Sequence, residues 1–291
     1  MPELPEVEVT RRRIEPLLVG RKLAGVRTTA PSYFFLTPPR RLARRLAGRT
    51  ASQLVRRGKY LVADIDDGCR LLLHLGMTGQ LFADGASSPR LLSSSARASL
   101  APEEQRAFRP DHHTHLRLRF ADGGPGVFFR DVRKFGKVQL LEPGEPSARL
   151  DPLGVDALQA QGADLHRASR GRRVAVKSLL LDQRVLAGVG NIYADEGLFR
   201  AGVRPRRRAG RLSRADCDAI VRGVQDCMHR SIATGGSSIS DYVAPDGADG
   251  RYQDERHVYA RSGEPCRKCS APIRRVVIGQ RSAHYCPGCQ R

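Results

Sequence analysis

Apolar side chains recur at helical spacing from residue 3 to residue 19. Val7, Ile14, Leu17 and Leu18 fall on or near one face and Gly20 supplies the stop, so the pattern predicts a helix. Over residues 21–82 the rhythm changes and reads mostly as strands. The runs KYLVADID and CRLLLHLGMTGQLF are apolar or alternating, and the Asp-Asp-Gly between them predicts a hairpin. HTHLRLRF and GPGVFFRDVRKFGKVQLL continue the pattern across an Asp-Gly-Gly turn. This half is expected to be a β-sandwich or barrel capped by the first helix. The stretch from residue 85 to about 111, rich in Ser, Ala and Arg, has no clear period and is expected to be a mobile surface insertion.

LEPGEPSARLDPLG is a Pro- and Gly-rich linker near residue 150, and the class changes after it. VAVKSLLLDQRVLAGVGNIYADEGLFRAGV has helical apolar spacing on both sides of Ala-Gly-Val-Gly-Asn. SRADCDAIVRGVQDCMHRSIATGG predicts a further helix ended by paired glycines. Neither half shows an internal repeat.

With 291 residues the chain holds two ordinary domains and a sizeable core. Fifty Lys and Arg against thirty Asp and Glu give a formal net charge of +20, which points to a polyanionic partner. Nucleic acid is the first reading and an anionic membrane the competing one. No run of about 18 apolar residues appears, and the N-terminus lacks a signal-peptide layout, so the protein is expected to be soluble, cytoplasmic and not membrane-bound.

Cys69, Cys217 and Cys227 are scattered, whereas Cys266, Cys269, Cys286 and Cys289 crowd the C-terminus as C-x2-C-x16-C-x2-C. An odd cysteine count without a signal peptide argues against a disulfide framework. The spacing suits one tetrahedral structural zinc held by four thiolates, with a hairpin between the pairs.

The chain opens MPELPEVE. Removal of Met1 would leave Pro2 with a free secondary amine, a possible nucleophile; Pro is also simply a good residue at a helix start. Together PELPEVE, HLGMTGQL, DVRKFGK, LLDQRVLAGVGNIYADEGLF, GEPCRKC and QRSAHYCPGCQ, in order from Pro2 to Gln290, resemble the bacterial formamidopyrimidine-DNA glycosylases. The resemblance implies an α+β multidomain fold: an N-terminal β-sandwich, a helical helix-two-turn-helix domain and a C-terminal β-hairpin zinc finger. The expected boundaries are 1–140 for the catalytic sandwich, 141–153 for the linker, 154–256 for the helical domain with a lesion-recognition loop, and 257–291 for the finger.

The resemblance also implies a bifunctional glycosylase and abasic-site lyase of base excision repair. It would act as a monomer on double-stranded DNA carrying oxidised purines or abasic sites, associated with the nucleoid through DNA. Pro2 is then the nucleophile, attacking the anomeric carbon to form an iminium that acts as an electron sink for β- and δ-elimination. An amine must be neutral to attack, and an ordinary α-amine titrates at ~7.7–8.0, so the site is expected to depress it. Glu3 resembles the family's general acid, and Glu6, one turn on, would position sugar or water. As bare residues both also fit an acidic first turn complementing the helix dipole. Lys59 matches the lysine that assists β-elimination, and Arg281 the finger arginine of the second elimination; its guanidinium stays protonated, which favours phosphate clamping.

Asn191 would meet a phosphate flanking the lesion, with Lys177 and Tyr193 extending that grip, since a glycine turn entering a helix is a natural anion site. His113, Arg133 and Arg172 match DNA-binding positions, with Arg172 where a lysine is common. Met77, Arg133 and Phe135 match the side chains that fill the void left by an extruded nucleotide. The basic run RPRRRAGRLSR is read equally as a solvated loop. Ala283 stands where a threonine is often found in the finger hairpin, and the 85–111 stretch is longer than usual. Two other classes stay open: a non-enzymatic zinc DNA-binding module, which would not need Pro2, Glu3 and Lys59 together, and the endonuclease VIII branch, whose opening usually has glycine where this chain has Leu4.

Overall fold

The computed structural model describes residues 1–87, 110–238 and 242–291. Most of the serine-rich stretch therefore lies outside the described residues, as do residues 239–241 of the segment before the finger. By contacts the chain divides into two compact units, one of 1–147 with 231–253 and the other of 148–230 with 254–291.

The first unit is a β-sandwich. Helix α1 (Leu4–Leu18) precedes strands β1 (Leu23–Thr28), β2 (Ala51–Arg57), β3 (Tyr60–Ile65), β4 (Arg70–His74), β5 (Gly79–Ala83), β6 (Thr114–Phe120), β7 (Val127–Asp131) and β8 (Lys137–Leu141). They form two four-stranded sheets, ordered β1-β6-β7-β5 and β2-β3-β4-β8, with antiparallel pairing throughout. The inward positions of both sheets, including Leu61, Leu71 and Leu73 from one and Leu81, Leu118 and Phe129 from the other, bury a common core. Val7, Ile14 and Leu18 of α1 pack into it, and the helix meets strands of both sheets. The Asp-Asp-Gly hairpin forms as its sequence predicts: Gly68 takes φ +81° and the Asp67 carboxylate accepts the Cys69 N–H.

One element differs from the strand reading of residues 21–82. Pro39–Leu46 forms a helix, α2, started by its proline and burying Leu42 and Leu46 four residues apart. Its four arginines hid that two-residue apolar face in a segment too short to show a period.

The second unit is helical around a C-terminal hairpin. It holds α3 (Gly162–Ser169), α4 (Val176–Leu181), α5 (Asn191–Arg200) and most of α6 (Arg214–Ala233). A short parallel ladder joins β9 (Val155–Asp156) to β10 (Leu186–Ala187), and β11 (Arg274–Ile278) pairs antiparallel with β12 (Arg281–Tyr285). No helix among the described residues is long and apolar enough to cross a membrane.

Candidate active site and nucleic-acid interface

The start of α1 is organised by two carboxylates. Glu3 is the N-cap residue, in extended conformation, and its side chain accepts the backbone N–H of Glu6. Glu6 Oε2 accepts the Glu3 N–H in return at 2.9 Å, a reciprocal capping box. Both carboxylates are almost wholly buried, at 2% and 1% exposure, and Pro2 beside them is buried too. A solvated acidic first turn would leave them in water. The second oxygen of Glu6 accepts the Ser237 N–H at 2.9 Å, and its backbone carbonyl accepts hydroxyls from Thr10 and Tyr242. Burial, and then the Glu6 charge, push the Tyr242 phenol far up, so it stays a protonated donor. One glutamate thus fixes both the backbone next to Pro2 and the residues following α6. Gly236 is required at this junction: it takes φ +93°, and a Cβ there would lie 2.8 Å from the Tyr242 ring.

Lys59 occupies the two-residue loop between β2 and β3, where Arg57 pairs with Tyr60. Gly58 supplies the positive φ, +58°, that a type II′ loop needs at its first position. The hairpin is tied to α1 through Arg56, which donates to Glu8 Oε2 at 3.2 Å and to the Gly58 carbonyl at 3.1 Å.

Met77, Arg133 and Phe135 sit on two neighbouring turns of the sandwich. Asp131 builds them: its buried carboxylate accepts the Thr78 hydroxyl, the Arg133 N–H at 3.3 Å and the Gly136 N–H at 2.7 Å. Gly76, at φ +64°, lets the Met77 turn lie against the other, since a Cβ would stand 2.5 Å from the backbone of Phe135 and Gly136. Phe135 is 42% exposed with the Arg133 guanidinium 4.7 Å from its ring centre, while Met77 is half-buried. A flat ring, a thioether and a guanidinium are therefore presented together. His113 lies in the turn before β6, and burial, then neighbouring His112 and Arg130, hold its imidazole below the ordinary value and favour the neutral form.

In the second unit the AGVGN turn is clasped by Gln183. Its amide donates to the carbonyls of Leu181 and Val189, both at 2.9 Å, and accepts the Gly188 N–H. Gly190 caps α5, so Asn191 opens the helix N-terminus. The Asn191 amide donates to Ser282 Oγ at 3.3 Å, and its buried Oδ1 has no partner among the described residues. Lys177 and Tyr193, expected to extend the phosphate grip, are fully buried instead. Lys177 Nζ lies 2.6 Å from Asp195 Oδ1 and donates to the Ser282 carbonyl. Asp195 Oδ2 accepts the His284 N–H at 2.9 Å. This chain of contacts pins β12 to α5. Arg281 is exposed on the same strand, just past a Gly279-Gln280 loop in which both residues take positive φ, +54° and +64°. Ala283 is buried and paired with Val276 in an unbroken ladder, so the hairpin is regular without a threonine. Arg172 is exposed beside Gly210, which donates to its carbonyl.

Neighbouring Glu196 accepts the N–H groups of His257, Val258 and Tyr259 at 2.8–2.9 Å, fixing the approach to the finger. Burial alone would raise its pKa; these donors and His257 hold it below the ordinary carboxylate value. Sequence reasoning passed over Asp195, Glu196, Asp131 and Gln183. The available signal was a pair of acids in an otherwise apolar helix, and an aspartate opening a glycine-bearing turn.

The four C-terminal cysteines converge, with all sulfurs within 4.8 Å of one another. Cys266 and Cys289 are 3.8 Å apart and Cys269 and Cys286 3.3 Å. Sulfurs tetrahedral about zinc at about 2.3 Å stand about 3.8 Å apart, so the set fits the ion. Burial opposes ionisation of Cys266, but the amides of Lys268 and Cys269 and the facing thiols bring it down to about 7. Burial and the surrounding sulfurs push Cys289 up to about 12, so a cation is needed to hold four thiolates. With no open position among four sulfur ligands, the zinc is structural. It fixes both knuckles beneath the β11–β12 hairpin and the Phe199, Val258 and Ile273 cluster.

These features together define a protein of two units, a β-sandwich and a helical unit that carries a zinc finger. The chain belongs to the formamidopyrimidine-DNA glycosylase family. The family's N-terminal domain matches residues 1–138, its H2TH domain residues 151–243, and the zinc finger found in FPG and IleRS residues 263–291. Formamidopyrimidine-DNA glycosylase of Cupriavidus pinatubonensis is 42% identical over 306 residues, covering all of both chains. A Lactococcus lactis FPG mutant in complex with Fapy-dG containing DNA superposes with TM-score 0.84 at 31% identity over 100% of each chain. The Lactococcus lactis Fpg in complex with abasic-site DNA gives 0.83 at 30% identity, covering 99% of each.

Proposed function

We propose that this glycosylase removes oxidised purines, 8-oxoguanine and formamidopyrimidines, and then cleaves the strand as an abasic-site lyase, with Pro2 as nucleophile. The observation that carries the reading is the buried cluster of Pro2, Glu3 and Glu6 at the head of α1. Once Met1 is removed, the Pro2 nitrogen is a secondary amine. Its lone pair forms a bond to C1′ as the C1′–base bond breaks; the electron pair leaves with the base, which takes up a proton. The ammonium so formed loses its N–H proton to water, Glu3 gives a proton to the sugar ring oxygen as the C1′–O bond breaks, and the nitrogen lone pair freed by that proton loss closes a C1′ iminium. Loss of a C2′ proton then expels the 3′ phosphate, and a second elimination expels the 5′ phosphate. Lys59 serves the first elimination, and Arg281, a permanent cation, clamps phosphate in the second.

Asn191 Oδ1 is a buried atom without a partner among the described residues, and turning that amide over offers N–H donors to a phosphate at the α5 N-terminus. Arg172 and His113 add surface contacts, while Lys177 and Tyr193 act from below by holding Asn191 and β12 in place. Met77, Arg133 and Phe135 fill the gap left by the extruded nucleotide. The segment after α6 reads the base, and its Glu6 anchor ties recognition to the nucleophile. The named relatives support the substrate class: the Lactococcus structures hold Fapy-dG and abasic-site DNA.

Borohydride trapping on duplexes carrying 8-oxoguanine, a formamidopyrimidine or thymine glycol tests the reading. The adduct should map to Pro2, and the two purine lesions should react faster than thymine glycol. An adduct formed equally well with a blocked N-terminus would remove Pro2 from the mechanism, and a lead for thymine glycol would reverse the substrate class.

A further inference from the structure

A second cluster of metal-ligating side chains lies in the sandwich, remote in sequence from the finger. Among the described residues only Asp111, His112 and His113 join the cysteines in bringing ligand atoms within 4.8 Å of one another. We propose that these three side chains form a second metal site, which takes a divalent transition ion of borderline softness such as nickel or zinc.

The turn that carries them is fixed before any ion arrives. Asp111 Oδ1 accepts the His113 N–H at 3.0 Å and the Thr114 hydroxyl at 3.2 Å, and Thr114 Oγ1 accepts the Asp111 N–H at 3.1 Å. The two imidazole centres lie 3.8 Å apart with their planes tilted by 45°, and His112 is exposed. His115 takes no part, since its nitrogens are engaged by Thr29 and the Asp131 carbonyl.

The remaining neighbour sets the selectivity. Arg130, almost wholly buried, donates twice to Asp111 Oδ2, at 3.0 and 2.8 Å. It neutralises the carboxylate, so hard cations that depend on oxygen charge find little here. Ions that favour imidazole nitrogen draw mainly on the two histidines, with the neutralised Asp111 carboxylate as the weaker third ligand. His113 is also a proposed DNA contact, so an occupied site competes with DNA. That consequence rests on the function proposed above; ion binding does not.

Zinc-loaded full-length protein dialysed against nickel alone should bind one nickel per chain while keeping its one zinc. His112→Ala should lose the nickel and keep the zinc, and magnesium should not occupy the site. Wild type that takes up no nickel, nickel gained only as zinc is lost, or equal nickel on His112→Ala would each overturn the proposal. Anisotropy on an abasic-site duplex then reads the consequence: nickel should weaken wild-type binding and leave His112→Ala unaffected. Bound nickel without any change in DNA affinity would leave the site standing and overturn the competition, taking His113 out of the contacts.

Discussion

Lys177→Met separates a buried strut from a phosphate contact. The substitution keeps an unbranched stem as far as Cε and removes the ammonium that lies 2.6 Å from Asp195 and also bonds the Ser282 carbonyl. Asp195 has no exposed surface, so among the described residues its carboxylate would be left buried with only the His284 N–H and imidazole beside it. Removing one partner of a buried ion pair costs about 3–5 kcal/mol, because the surviving charge is uncompensated. With a urea slope of about 2–3 kcal/mol per molar, the unfolding midpoint should fall by about 1–2.5 M. Adding Asp195→Asn should recover part of the loss, since the amide oxygen still accepts the His284 N–H and no charge is stranded. DNA affinity should fall as β12 loses its anchor and Arg281, still in reach of its phosphate, is held less firmly for it. The slope of log affinity against log salt should not change, because a buried ammonium displaces no counterion; loss of a direct phosphate contact would reduce it by about 1. A stability loss under about 1 kcal/mol, or a slope reduced by about one ion, would refute the reasoning.

Gly76→Ala drives a Cβ to 2.5 Å from the Phe135 and Gly136 backbone at a positive φ, so lesion excision should drop by more than tenfold while the isolated turn costs under about 3 kcal/mol by melting. Stripping zinc with a chelator, or Cys266→Ser, should abolish DNA binding with loss of one zinc per chain on metal analysis, since the binding energy of the ion is folding energy here. Glu196 has its pKa depressed from 4.5, so the stability it contributes is complete above that value and is lost as pH falls through the lower, folded one. Glu196→Gln should therefore flatten the acid limb of a pH–stability curve below about pH 4.5 and destabilise at neutral pH, since its amide presents a donor to the N–H groups it must accept.

Much of the molecule was legible in the chain because it rests on local rules. The period of α1, the Asp-Asp-Gly hairpin, the class change near residue 150 and the four-cysteine spacing each follow from backbone preference or ligand chemistry within a short window. The same holds for the family, whose motifs are contiguous. What only the tertiary structure decided are the partners of polar groups far apart in sequence. Glu6 lies 231 residues from the Ser237 N–H that it accepts, and Lys177 lies 105 from the Ser282 carbonyl. Nothing near either residue in the chain marks it as buried. A carboxylate or an ammonium leaves water only where folding delivers enough donors or an opposite charge to replace its hydration. That is why Lys177, which reads from sequence as a surface cation for phosphate, lies inside the helical unit, and why Glu6, which reads as one more acid in a helix's first turn, joins the Glu3 backbone to the segment after α6.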